Sequence, residues 1–124
     1  MSMLCHFELP AESPEKLIEF YQKLFPEWKI EKFDCDCPGG YWAISLPQTS
    51  NKICGALMKK QNPEHGVTIY FEVNSVDQFA KKVQELGGKI VMPKTTVPKM
   101  GYFIVCLDPA NNPLGLWEND ENAA

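Results

Sequence analysis

The feature that most constrains this chain is an order of patterns that occurs twice. A short alternating apolar run comes first, then a Ser, then an amphipathic helix pattern. Met3-Leu4-Cys5-His6-Phe7-Glu8-Leu9-Pro10 opens the first copy, and Thr68-Ile69-Tyr70-Phe71-Glu72-Val73 opens the second. Period-two alternation is the signature of a strand with one face on a core. In the first run it sets His6 and Glu8 on one face and Cys5, Phe7 and Leu9 on the other. The sequence therefore reads as one supersecondary unit used twice, with its polar chemistry on the first strand of each copy.

The first copy continues with Ser13-Pro14-Glu15, a helix start with a hydroxyl at the N-cap, Pro at the first helical position and an acid in the first turn. Leu17, Phe20, Tyr21, Leu24 and Phe25 follow at helical spacing and form the expected buried stripe, which Pro26 ends. Strands are expected over residues 28–33, 41–46 and 53–58, with a turn-rich connection over 34–40. Residues 59–65 are polar, contain Pro63 and read as a linker. In the second copy Ser75-Val76-Asp77-Gln78 fits a capping box. Val76, Phe79, Ala80, Val83 and Leu86 make the buried stripe, and Gly87-Gly88 supplies a left-handed helix end. Strands follow over 89–92, 101–107 and 114–118. Asp108 to Pro113 is a turn, and the tail from Asn119 is expected to fray.

The resulting expectation is an α+β fold: one domain over residues 1–124, with βαβββ modules at about 3–58 and 66–118. Their strands would form a curved mixed sheet around a cleft. A chain of 124 residues that is 44% hydrophobic can bury a core of that size. The net charge of −4 comes without a basic run, which argues against a nucleic-acid surface. No apolar run reaches the length of a membrane span, and no signal-peptide pattern opens the chain. Five cysteines, an odd number scattered through expected strands, suit a reducing compartment better than a disulfide framework. A cytoplasmic location is the expectation.

Four stretches together resemble the vicinal-oxygen-chelate superfamily, which includes glyoxalase I, bleomycin-resistance proteins and extradiol dioxygenases. They are His6 leading to Phe20-Tyr21, then Leu86-Gly87-Gly88, then Gly101-Tyr102-Phe103, and Asp108-Pro109-Ala110-Asn111-Asn112 before Leu116-Trp117-Glu118. The resemblance spans about His6 to Glu118 and lies nearest an uncharacterised glyoxalase-related branch. It implies paired βαβββ modules, frequent homodimers, and a divalent metal held by His, Gln or Glu from four strands. His6 falls at the first ligand position. The other three positions lack such ligands: residues 53–58 carry no acid, the second-half position falls on Thr68 or Tyr70, and the last falls on Gly115. Glu118 is three residues beyond Gly115, so the pleat turns it to the opposite face.

Two functional readings follow. The first is a protein that binds a small, partly apolar molecule without the usual metal site. Thr68, Tyr70, Tyr102 and Trp117, with Tyr41 and Trp42 nearby, are the candidate lining, and Gly115 would leave space beside Trp117. The second is a lyase or isomerase in which His6, with Glu8 or Glu72, moves a proton on a small oxygenated substrate. In that version His6 could also recruit a divalent metal. No other cofactor is implied. Cys35-Asp36-Cys37 is one close pair without partners, weak as a zinc site. Cys54 and Cys106 read as small buried apolar residues, and Lys99-Met100-Gly101 as a loop at the cleft mouth.

Overall fold

The computed structural model describes residues 3–46 and 54–124. The chain divides into two compact units. One comprises residues 6–67, and the other comprises residues 68–124 with the N-terminal residues up to Cys5. The expected linker 59–65 thus lies at the end of the first unit.

The first unit contains β1 (Met3–Ala11) from His6 onward, α1 (Pro14–Leu24), β2 (Lys29–Lys32), β3 (Tyr41–Ser45) and β4 (Cys54–Lys59). Ile53, expected to open the last of these strands, lies outside the described residues. Strand β1 pairs in parallel with β4, β4 pairs antiparallel with β3, and β3 pairs antiparallel with β2. The second unit contains β5 (Thr68–Glu72), α2 (Val76–Glu85), β6 (Lys89–Val97), β7 (Gly101–Leu107) and β8 (Pro113–Asn119). Strand β5 pairs in parallel with β8, which pairs antiparallel with β7, and β7 pairs antiparallel with β6. Each unit is thus βαβββ, with its first and last strands parallel and adjacent. The fold is α+β, built from the tandem modules that the repeated pattern implies.

Each helix covers one face of its own strands. In the first unit Leu17, Tyr21 and Phe25 recur every four residues on α1 and are half-buried. Trp28 stacks on Tyr21 (centroids 5.2 Å apart) and on Phe25 (4.7 Å) and reaches Phe7 of β1 (6.5 Å). Such aromatic contacts add to the burial of apolar area. Phe20 and Leu24, expected in the buried stripe, are 56% and 52% exposed. They stand on the flank of the 17–21–25 row, where the 3.6-residue turn carries them off the core. Ser13 occupies the N-cap with extended backbone, but its hydroxyl makes no capping bond; Pro14 at the first position needs no acceptor.

In the second unit the core is Val73, Val76, Ile104, Cys106 and Leu116, with Phe79, Ala80 and Val83 of α2 packed against it. Ser75 caps α2 by accepting the backbone N–H of Gln78 (3.2 Å). At the other end Gly87 takes φ +93°, the Gly88 N–H donates to the Val83 carbonyl (2.8 Å), and the Gly87 N–H donates to that of Gln84 (3.3 Å). That pair of bonds is a Schellman end, which the two glycines were expected to supply. Leu86, placed in the buried stripe from its spacing, is 77% exposed, because the chain unwinds at it and turns away.

Two further expectations change. Strand β6 runs on to Val97 instead of ending near Met92, with register irregularities on the way. The tail does not fray. The Ala123 N–H donates to the Asp120 carbonyl, the Lys99 N–H donates to the Ala123 carbonyl, and Ala123 is 3% exposed. The turn at Lys99 (φ 65°) is therefore stapled to the C-terminal residues.

The β7–β8 turn rests on Asp108. Its carboxylate accepts the backbone N–H groups of Ala110 and Asn112 (2.9 Å each) and the side-chain amide of Asn112 (3.0 Å), while Asn111 takes the left-handed conformation (φ 68°). The backbone and side-chain hydrogen bonds from Asn112 hold the Asp108 carboxyl below its ordinary 3.8. A carboxyl with a depressed folded pKa contributes stability that is present above the unfolded value and lost as pH falls through the folded one. Asp108→Asn should therefore lower the melting temperature at neutral pH. Its deficit against the parent should close as pH falls below about 3.8, read by circular-dichroism melts across a pH series.

Candidate functional site

Strand alternation and register together decide what the first unit presents away from α1. Directly paired residues share a face, so His6 stands with Cys54, Glu8 with Ala56, and Pro10 with Met58. Tyr41 pairs with Met58 and Ala43 with Ala56, which adds β3 to the same face. Phe7, Leu9, Leu57 and Ile44 fall on the other, under α1. The face away from the helix is thus a floor of buried Ala56 and Met58 carrying His6, Glu8 and Tyr41, all half-buried.

These three side chains form one hydrogen-bonded chain. The Tyr41 hydroxyl donates to Glu8 Oε2 (2.9 Å) and lies 3.0 Å from His6 Nε2, while His6 Nε2 and Glu8 Oε2 are 3.8 Å apart. An ionised carboxylate only accepts, and a phenol has one proton. With that proton directed at Glu8, the phenol oxygen is left to accept from His6. The arrangement therefore selects the tautomer with a proton on Nε2 and runs His6 Nε2–H to Tyr41 O–H to Glu8. Phe33 packs edge-on against Tyr41 (centroids 6.1 Å apart), which fixes the phenol ring. His6 and Glu8 are the sequence-expected pair. Tyr41 was foreseen only as a lining aromatic, because its hydroxyl meets them from a strand more than thirty residues away.

The second unit uses its equivalent face differently. Thr68, Tyr70, Glu72, Gly115, Trp117 and Phe103 share the side away from α2 by register. Tyr70, rather than Thr68, is the direct partner of Gly115. A Cβ on Gly115 would overlap the Tyr70 ring, and Tyr70 is 6% exposed and packs edge-on against Phe103. The space that Gly115 was expected to leave for a ligand is filled by Tyr70. Thr68 is buried, Glu72 is half-buried, and the Trp117 indole donates to Asn119 Oδ1 (2.7 Å).

Tyr102 stands on the opposite face from Tyr70 and Trp117. It pairs with Glu118 and packs against the helix-side core. Its hydroxyl donates to Asp120 (3.2 Å), and the Lys94 ammonium lies 4.4 Å above its ring. Burial, and then the bond to Asp120, raise its pKa. Glu118, as its spacing implies, also faces α2, where Oε1 accepts the Val76 N–H (2.9 Å) at the helix start. Trp42 lies on the α1 side, with the Lys32 ammonium 5.7 Å from its ring. Cys106 is buried as expected, and burial pushes its thiol pKa up. Cys54 is exposed, opposite His6. Cys35 and Cys37, expected to be reduced, are joined as a disulfide.

Among the described residues, the family's ligand positions do not carry a family-type donor set. Such centres take three or more protein ligands. Among the described residues no three His, Cys, Asp or Glu side chains converge. His6 and Glu8 already share the Tyr41 hydroxyl, and the Tyr70 ring covers Gly115. Gly115→Ala should cost about 1–3 kcal/mol in urea unfolding, the scale of core overpacking. Tyr70→Ala made alongside it should cost less than the sum of the two single changes, because each relieves the other's crowding. Additive losses would place the Tyr70 ring elsewhere.

Comparison with known proteins agrees with this architecture. Two curated relatives, the anthracycline biosynthesis proteins DauV of Streptomyces sp. (strain C5) and DnrV of Streptomyces peucetius, are each 26% identical over 90% of this chain and 45% of their own length. The chain thus spans about half of each. Methylmalonyl-CoA epimerase from Mycobacterium tuberculosis shares the fold at a TM-score of 0.70 and 13% identity, covering 95% of this chain and 88% of that one. A glyoxalase/bleomycin resistance protein/dioxygenase superfamily member from Vibrio splendidus 12B01 does so at 0.67 and 10%, covering 97% and 100%. Residues 4–116 match the family as a whole, and the chain belongs to the Glyoxalase/Bleomycin resistance protein/Dioxygenase superfamily.

Proposed function

We propose that this chain binds a small, oxygenated, partly apolar molecule on the face of the first unit that carries His6, Tyr41 and Glu8. The observation that carries the reading is the Tyr41 hydroxyl held 2.9 Å from Glu8 Oε2 and 3.0 Å from His6 Nε2. Three polar groups converge there on a floor of Ala56 and Met58. An apolar surface with a few fixed polar groups is the ordinary composition of a small-molecule site. The two curated relatives are named for anthracycline biosynthesis, a small-molecule pathway, which accords with such a ligand. Thr68, Tyr70 and Trp117 remain proposed ligand-binding residues of the second unit, and Glu72 remains a proposed proton-transfer group. Tyr102, on the helix side, is left out. With the reading go a homodimer and a cytoplasmic location. No helix among the described residues is long and apolar enough to cross a membrane.

The same chain of hydrogen bonds favours a second reading, proton transfer. It ends on a carboxylate, and a carboxylate is a competent base toward a carbon acid next to a carbonyl. In that step Glu8 takes the proton, the carbon–hydrogen electron pair moves into a new carbon–carbon double bond, and the carbonyl oxygen takes up negative charge. The hydroxyl proton then passes to the former carbonyl oxygen, and returning the carbon-bound proton from Glu8 to the former carbonyl carbon leaves the carbonyl on the other carbon, an isomerisation of a hydroxy-ketone that consumes no co-reactant. Tyr41 and His6 orient Glu8 and share its charge through the phenol.

A thermal-shift screen of hydroxy-ketones, hydroxy-acids and anthracyclines should give saturable stabilisation by at least one class. Tyr41→Phe and Glu8→Gln should weaken that binding about tenfold or more, the scale of losing a hydrogen bond to a charged group. A flat screen would count against binding. Incubating the hits in deuterated water separates the readings. Deuterium appearing beside the carbonyl, lost in Glu8→Gln and His6→Ala, supports catalysis. Binding without exchange leaves the binding reading alone.

A further inference from the structure

The loop between β2 and β3 carries a feature that the proposed site does not use. Cys35 and Cys37 are bonded to each other across a single intervening residue, with their Cα atoms 5.3 Å apart. A disulfide stabilises a fold chiefly by restricting the unfolded chain, and the restriction grows with the length of loop closed. Closing so short a loop restricts the unfolded chain very little. The bond also joins no two elements of the fold, so its effect falls on the geometry of this one turn.

That turn leads directly into Tyr41. The Phe33 N–H donates to the Tyr41 carbonyl (2.8 Å), and the Gly40 N–H donates to the Cys37 carbonyl (2.9 Å). Gln61 Nε2 also donates to the Pro38 carbonyl (3.3 Å). The chain from Cys37 onward is thus tied down up to the residue before Tyr41, and the disulfide ties Cys35 to its start. Phe33, two residues ahead of Cys35, packs on the Tyr41 ring. Cys35 is exposed, so an incoming thiolate can reach its sulfur. We propose that Cys35–Cys37 is a reversible dithiol–disulfide couple that sets the position of Tyr41 and thereby regulates the His6–Tyr41–Glu8 site. Its regulatory meaning rests on the binding function proposed for that site; the couple itself does not.

The reaction is ordinary thiol–disulfide exchange. A thiolate attacks the Cys35 sulfur, the Cys35–Cys37 bond breaks, and Cys37 leaves as a thiolate that takes up a proton. A second thiol attacks the mixed disulfide and frees Cys35. The chain gains two electrons and two protons, and the external thiol is oxidised to its own disulfide. Asp34 precedes the pair and Asp36 lies between its two cysteines. Their negative charge repels an anionic thiol and favours a cationic or neutral one. The co-reactant is therefore a low-molecular-weight thiol without net negative charge, or a protein dithiol with a neutral or basic surface.

The test uses the whole protein and needs no ligand. Thiols are titrated under denaturing conditions after equilibration in redox buffers, and labelled sites are mapped by peptide mass. Oxidised protein should show three thiols, Cys5, Cys54 and Cys106, and reduced protein five. The Cys35→Ser/Cys37→Ser variant should show three throughout. Cysteamine should reduce the pair faster than glutathione at low salt, with the gap narrowing as salt is added. The coupling is read from the Tyr41 ring resonance in protein with isotope-labelled tyrosine, assigned with Tyr41→Phe. It should shift on reduction in the parent and stay fixed in the double variant. Five thiols under every oxidising buffer, or a Tyr41 resonance indifferent to reduction, would overturn the proposal. Neither outcome bears on whether the site binds a ligand, so the two readings fail separately.

Discussion

Period-two alternation along β1 divides the chemistry of the first unit from its core. Phe7 and Leu9 face α1, and Phe7 meets Trp28, which stacks on both Tyr21 and Phe25. His6 and Glu8 face away because Phe7 and Leu9 do not. Slipping the β1–β4 register by one residue would exchange the two sets, burying a carboxylate and an imidazole under an aromatic helix. The aromatic packing beneath the sheet therefore holds the polar chain above it. Parallel pairing with β4 then lays Ala56 beside Glu8, and β3 brings Tyr41 across to close the chain.

The second unit repeats the topology but packs an aromatic ring into the corresponding face. Tyr70 lies over Gly115 and against Phe103, with Thr68 buried alongside. Where the family resemblance implies metal donors, this unit has an aromatic ring and a glycine that fit one another. Two of its carboxylates are structural too, since Glu118 caps α2 and Asp108 organises the β7–β8 turn. One scaffold used twice has thus kept a polar, hydrogen-bonded face in one copy and an aromatic one in the other.

Much of this was legible in the sequence because it depends on local rules. Alternation placed His6 and Glu8 together, Ser75 and Gly87-Gly88 marked the ends of α2, and three-residue spacing turned Glu118 away from Gly115. What was hidden depends on contacts between distant segments. Nothing near Tyr41 in the sequence announces that its hydroxyl lies between His6 and Glu8. Nothing near Gly115 shows that Tyr70 fills its space. Tyr102 looked like a lining residue from its motif, but register with Glu118 turns it toward α2. Phe20, Leu24 and Leu86 obeyed helical spacing and still stand outside the core, because spacing defines a stripe without defining how wide a stripe the partner covers. The tail looked polar enough to fray, and its carbonyls and N–H groups instead find partners at Asp120 and Lys99.

The central claim is the direction of the hydrogen-bond chain, from His6 through Tyr41 to Glu8. The most direct measurement is a long-range nitrogen–proton correlation spectrum of the His6 ring, taken well above the ordinary histidine titration range. The account predicts a neutral ring with its proton on Nε2, and loss of that preference in Tyr41→Phe. A ring protonated on Nδ1, with Nε2 bare in both proteins, would mean that Tyr41 does not link the two groups, and would contradict the account.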